Sequence, residues 1–191
     1  MDTFRWVAVA LSMILGLGVT RLLTSAVIVF RSRHQAKLHW IPPVWAASIF
    51  VLQIQFWWAV IELAELIQVW TLHAFLLLLA MPLVLFAAAA TVLPMKELGP
   101  GENLLYEFRR DGRWGLSCLA AYAVLAMMVN YVLFEVWIVS VTDLYLAAEL
   151  TLPLLYLVTP MRRKWGGGIT VAYLLLVLWT SWLFSPKAYG V

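Results

Sequence analysis

Six apolar stretches, each about as long as a bilayer is thick, constrain this chain more than any other feature. A transmembrane helix needs about 20 predominantly apolar residues. Stretches 4–30, 43–61, 71–93, 114–134, 144–160 and 169–184 meet that need. The first is long enough to tilt or to project, and the fifth carries Glu149 and Pro153. Composition agrees, with 64% hydrophobic and 12% charged residues against about 45–50% and 25% in soluble domains. The expected fold is an all-α, polytopic transmembrane bundle of about six spans, one bundle over residues 1–191 with no soluble domain. The apolar run after Arg5 reaches Phe30. That exceeds the roughly 7–15 residues of a signal-peptide core, so it reads as a retained helix.

The breaks between spans are polar or breaker-rich. Arg31 to His39 is followed by Pro42-Pro43, which suits the first turn of a helix. Leu98-Gly99-Pro100-Gly101 forms a turn, and Arg162-Arg163-Lys164 precedes Gly166-Gly167-Gly168. Lys and Arg concentrate in short cytoplasmic loops. With six spans and both termini outside, segments 31–42, 94–113 and 161–168 are cytoplasmic and hold ten of the 13 basic residues. If 144–160 did not cross, Arg162-Arg163-Lys164 would lie outside, so charge favours six spans. Tryptophan favours membrane–water interfaces. On this topology Trp40, Trp45, Trp114 and Trp165 fall at the inner boundary, and the other seven of the 11 fall towards the outer one. Six spans also divide into two halves of three, as in inverted-repeat transporters. No internal similarity accompanies that count.

Ionisable groups inside a bilayer cost several kcal/mol and need partners, so each is a functional candidate. Arg21 in the first span and Glu149 in the fifth differ in depth by roughly 10 Å at 1.5 Å per residue. They form either a structural ion pair or a charge site on a conduction path. Ser48, Gln55 and Glu62 recur every seven residues on the second span, with Glu65 three further on, so they share a face. Gln53 points elsewhere. The fifth span repeats the spacing with Thr142, Glu149 and Tyr156, and Tyr145 sits just above. Asn130 on the fourth lies at a depth similar to Gln55 and Glu149. Such seams line water or hydrogen-bond helices together. Arg21, Gln55, Asn130 and Glu149 are the primary candidates. Ser48, Glu62, Glu65, Tyr145 and Tyr156 form a secondary seam. Ala8, Ser12, Gly16, Thr20 and Thr24 make a small-residue ladder that permits close helix approach, inside the protomer or between protomers.

Other chemistry is not legible. Cys118 is alone, and no paired intramembrane His, HExxH or zinc-ligand cluster exists. Every Lys lies in a loop or tail, and GxSxG and TVGYG are absent. No catalytic set, metal or cofactor is therefore expected, which points away from an enzyme. In loop 94–113, Leu104, Leu105 and Phe108 share a side, followed by Arg109, Arg110 and Arg113. This suits a short interfacial helix meeting anionic lipid headgroups at the inner face, or a partner-docking helix. Four acids offset the four bases of the loop, so nucleic acid is excluded.

Gly16-Leu17-Gly18-Val19-Thr20-Arg21-Leu22-Leu23 and Gln53-Ile54-Gln55-Phe56-Trp57-Trp58 resemble strings in a group of small, uncharacterised six-span bacterial inner-membrane proteins. The resemblance implies location and architecture and supplies no activity. Two functions follow from the residues. One is a small channel or transporter for an ion, proton or small solute, acting as a homo-oligomer. The other is a non-transporting accessory or scaffold subunit of a larger membrane complex.

Overall fold

The computed structural model describes residues 2–67, 70–133, 141–158 and 165–183. Among them every regular element is helical: α1 (Asp2–Arg31), α2 (Ile41–Leu66), α3 (Leu72–Val92), α4 (Leu104–Glu107), α5 (Arg113–Leu133), α6 (Val141–Val158) and α7 (Trp165–Leu183). Five helical segments are long and apolar enough to cross a membrane: Phe4–His34, Ile41–Ile61, Leu72–Val92, Leu104–Leu133 and Trp165–Leu183. The remaining long helix, α6, carries Asp143, Glu149 and Pro153.

Local chemistry explains the boundaries. Pro42 and Pro43 open α2, where a missing N–H costs no helix bond. Thr71 Oγ1 caps α3 by accepting the Ala74 N–H at 3.2 Å. Asn103 Oδ1 caps α4 by accepting the Leu105 N–H at 2.9 Å. The glycines 166–168, expected as a break, instead form the start of α7. Close approach explains two of them: a Cβ on Gly167 would stand 3.0 Å from the Trp40 ring and one on Gly166 3.3 Å from Tyr156, whereas one on Gly168 would meet nothing within 4 Å.

The long helices pack as a ring in the order α1–α3–α5–α6–α7–α2, with α2 and α3 also touching across it. The core runs between them through Leu11, Ile49, Leu52, Leu78, Leu85, Leu119 and Val177. Trp45 departs from the interfacial belt. It is fully buried, with its ring 4.8 Å from Tyr173 and 5.5 Å from Tyr156. Depth along the membrane placed it at an edge, but its helical face turns it towards α6 and α7. Trp6, Trp40, Trp57, Trp58, Trp114, Trp165, Trp179 and Trp182 are exposed on the bundle surface. Trp137 lies outside the described residues.

The bundle end that holds the C-terminus of α1 and the N-terminus of α2 is closed by chain packed against the helices. Lys37 pairs in parallel with Asn103, and its backbone donates to Glu102 O at 2.9 Å and accepts from Leu104 N–H at 3.1 Å. Ser32 Oγ accepts the buried Leu98 N–H at 3.0 Å, and Arg31 meets Glu97 at 3.2 Å. The short helix expected near residue 104 is present, with its apolar side turned inwards. Leu104 and Phe108 are buried in the bundle core and Leu105 packs against it. A π-helical turn, Phe108–Gly112, then joins it to α5.

Candidate functional site

A cavity of about 250 Å³ lies between α2, α3, α5, α6 and α7. It sits towards the bundle end formed by the C-terminal ends of α2, α5 and α7 and the N-terminal ends of α3 and α6. Its polar wall is Gln55 from α2, Tyr122 and Asn130 from α5, Tyr145 and Glu149 from α6, and Thr180 from α7. Leu52, Phe56, Val60, Leu78, Met81 and Leu146 supply apolar surface. Gln55, Asn130 and Tyr145 are half-buried and Ala59 is exposed, so the cavity reaches the bundle surface on that side.

Glu149 is 4% exposed, and its Oε1 lies 3.2 Å from Thr180 Oγ1. Next along α7, Ser181 Oγ lies 3.2 Å from Gln55 Oε1. Both hydroxyls also reach the carbonyl of Val177, at 3.0 Å from Thr180 and 2.7 Å from Ser181. Two hydroxyl hydrogens therefore face three acceptors: a carboxyl, an amide oxygen and a backbone carbonyl. Among the described residues no Lys, Arg or His lines the cavity.

Three of the four primary candidates, Gln55, Asn130 and Glu149, thus meet at one cavity, and Arg21 does not. Arg21 donates to Ser25 Oγ and, at 3.0 Å, to Ala90 O of α3. The ion-pair alternative for Arg21 and Glu149 is corrected by the ring order. α1 packs on α2 and α3, whereas α6 packs on α5 and α7, so the two helices are not neighbours.

The secondary seam divides in the same way. Tyr145 lines the cavity. Ser48 is buried and donates to Val44 O of its own helix at 3.0 Å. Tyr156 sits about two turns, roughly 10 Å, from Glu149 towards the C-terminal end of α6, edge-on to Phe108 and Trp45. The side chains of Glu62 and Glu65, and Thr142, lie outside the described side chains.

Sequence reasoning missed Tyr122, Thr180 and Ser181. Thr180 and Ser181 are adjacent hydroxyls in an otherwise apolar stretch of α7, and that pairing was the available signal. It also missed the surroundings of Gln53, which is 1% exposed with neither amide atom hydrogen-bonded. Gln53 packs against Gly18, so the two strings that carry the resemblance touch.

On the π-helical turn ahead of α5, Arg110 donates to Glu107 at 2.7 Å and to Asp111 at 2.8 Å. Among the described residues no group of three His, Cys, Asp or Glu side chains is placed to hold a metal ion.

Fold and cavity together define a multi-pass helical membrane protein with a polar cavity inside its bundle. No protein-family model, curated protein or solved structure matches the chain.

Proposed function

We propose that this chain is a small six-span transporter of the bacterial inner membrane, with both termini outside, and that its cavity holds an ion or small solute in transit. The observation that carries this reading is Glu149: a buried carboxyl on a cavity wall, with a neutral hydroxyl partner and, among the described residues, no cation lining the same space. A carboxyl in that setting is costly as structural glue, because an unpaired buried charge destabilises a bundle. Gln55 and Asn130, from two further helices, add polar atoms to the same space.

The sixth span is supported by α6, which completes the ring between α5 and α7. It is supported equally by the inward placement it gives Arg162, Arg163 and Lys164. The bacterial location rests on the resemblance of the two strings. Arg21 is outside the path and binds α1 to α3.

Assembly as a homo-oligomer is supported by the small-residue ladder of α1. Gly16, Thr20 and Thr24 are exposed, and a Cβ on Gly16 would meet nothing within 4 Å. The same strip favours a second reading, an accessory subunit that packs α1 against a different membrane protein. Crosslinking of the purified chain through Gly16→Cys separates the two, since a homo-oligomer crosslinks without any partner.

Proteoliposomes holding the purified protein, assayed for proton and monovalent-ion flux, test transport. Flux in the parent and its loss in Glu149→Gln, with folding intact by circular dichroism, is the expected result. Absence of any solute flux in the parent refutes it.

A further inference from the structure

The cavity walls differ in chemistry, and the difference describes a ligand. Glu149, Gln55 and Asn130, from three helices, bring oxygens that accept hydrogen bonds, and Tyr122, Tyr145 and Thr180 add hydroxyls. Most other lining residues are hydrocarbon or aromatic, including Phe56, Met81 and Leu146. A purely inorganic ion would leave that apolar surface without a partner, and a purely apolar ligand would leave the carboxyl and amides without one.

Charge decides the sign of the head group. Among the described residues, the titratable groups facing Glu149 are Tyr122 of α5, Tyr173 of α7 and Tyr145 of its own helix. None of them is a cation. The hydroxyl of Thr180 has one hydrogen and two acceptors, so it cannot serve both Val177 and an ionised Glu149. A proton on Glu149, donated to Thr180, satisfies the empty site, and a bound cation can replace that proton.

Size sets the body. A cavity of about 150 Å³ accommodates a benzene ring, and this one is about 250 Å³. The space left suits a short chain ending in a small polar head.

We infer that the cavity binds a primary ammonium cation with a compact apolar body, Glu149 serving as its counter-ion. The inference rests on reading the cavity as the substrate site. In the exchange R–NH₃⁺ enters, the Glu149 carboxyl loses its proton to bulk water, and the site stays neutral. The three N–H donors of the head match Glu149, Gln55 and Asn130, and the apolar body lies against Phe56 and Leu146.

The test is calorimetric titration of the full chain in neutral-lipid nanodiscs with 2-phenylethylammonium, against empty nanodiscs. The expected result is saturable binding at one site per chain, with proton release seen as heats that change with buffer ionisation enthalpy. The neutral isostere 2-phenylethanol binds at least about tenfold more weakly (about 1.4 kcal/mol). Glu149→Gln lowers ammonium affinity by a similar factor, and Leu146→Trp, which fills the apolar end, blocks binding while keeping the carboxyl. If Glu149→Gln does not fold, the ammonium–alcohol comparison on the parent decides alone. Equal binding of the two ligands, no saturable heat, or binding without proton release overturns the inference. Ammonium binding without flux in proteoliposomes leaves this site standing and removes the transport reading. Glu149-dependent proton flux without ammonium binding does the reverse.

Discussion

Gly16 and Gly18 stand two residues apart on one helix, and substituting each by alanine separates packing from backbone preference. Alanine in a helix interior gains about 0.5–1 kcal/mol over glycine at either position. At Gly16 a new Cβ meets nothing within 4 Å, so Gly16→Ala stabilises by about that amount. At Gly18 the Cβ overlaps the Gln53 Nε2 and comes within 3.2 Å of Gln53 Cδ. Gln53 is 1% exposed, so its amide must shift within the packed interior to make room. Overpacking of that kind costs about 1–3 kcal/mol, so Gly18→Ala is expected between neutral and about 2.5 kcal/mol destabilising. Because the helix preference cancels, the difference between the variants, about 1–3 kcal/mol, is the packing contribution of the α1–α2 contact. The assay is equilibrium unfolding in mixed micelles with increasing SDS, followed by circular dichroism. Placing Gly18→Ala in a Gln53→Ala background removes the overlap, and the penalty should fall to near zero in the double-mutant cycle. Agreement of the single variants within about 0.5 kcal/mol, or failure of Gln53→Ala to rescue, refutes the reasoning.

Trp45→Ala removes a fully buried ring from between Tyr156 and Tyr173 and is expected to cost about 3–5 kcal/mol. Trp114→Ala, at a residue 69% exposed, should stay within about 0.5 kcal/mol in the same unfolding assay. Ser32→Ala deprives the buried Leu98 N–H of its acceptor and should cost about 1–3 kcal/mol; hydrogen exchange at the Leu98 amide should speed up with it. Gly101 has φ +83° in the turn facing Gln35 and Lys37. Gly101→Ala should therefore cost about 1–2 kcal/mol, and an unchanged thermal midpoint would contradict that assignment of strain.

The long helices were legible because each is specified by a local quantity. Length, apolarity and flanking charge define a span without reference to any other span. Pro42-Pro43 mark a helix start through the fixed backbone and missing N–H of proline, again a local property. The depth of Gln55, Asn130 and Glu149 was legible for the same reason, since depth follows from a count of residues at constant rise.

Adjacency was not available in that way. A helix presents a whole circumference, and nothing in one span states which side meets which neighbour. Arg21 and Glu149 are opposite in charge and close enough in depth for an extended Arg to reach, yet α1 and α6 are separated in the ring. Trp45 lay at the depth of an interfacial indole and faces inward. Thr180 and Ser181 became part of the site only because α7 sits beside both α2 and α6.

Six apolar stretches and the position of the basic residues thus determined a membrane-embedded helical protein and the level at which polar groups sit within it. Tertiary structure alone decided which of those groups share a cavity and which are spent on packing. The physical reason is that hydrocarbon surrounds every span alike. The hydrophobic effect inserts the helices without choosing their partners, and side-chain fit such as Gly18 against Gln53 makes that choice.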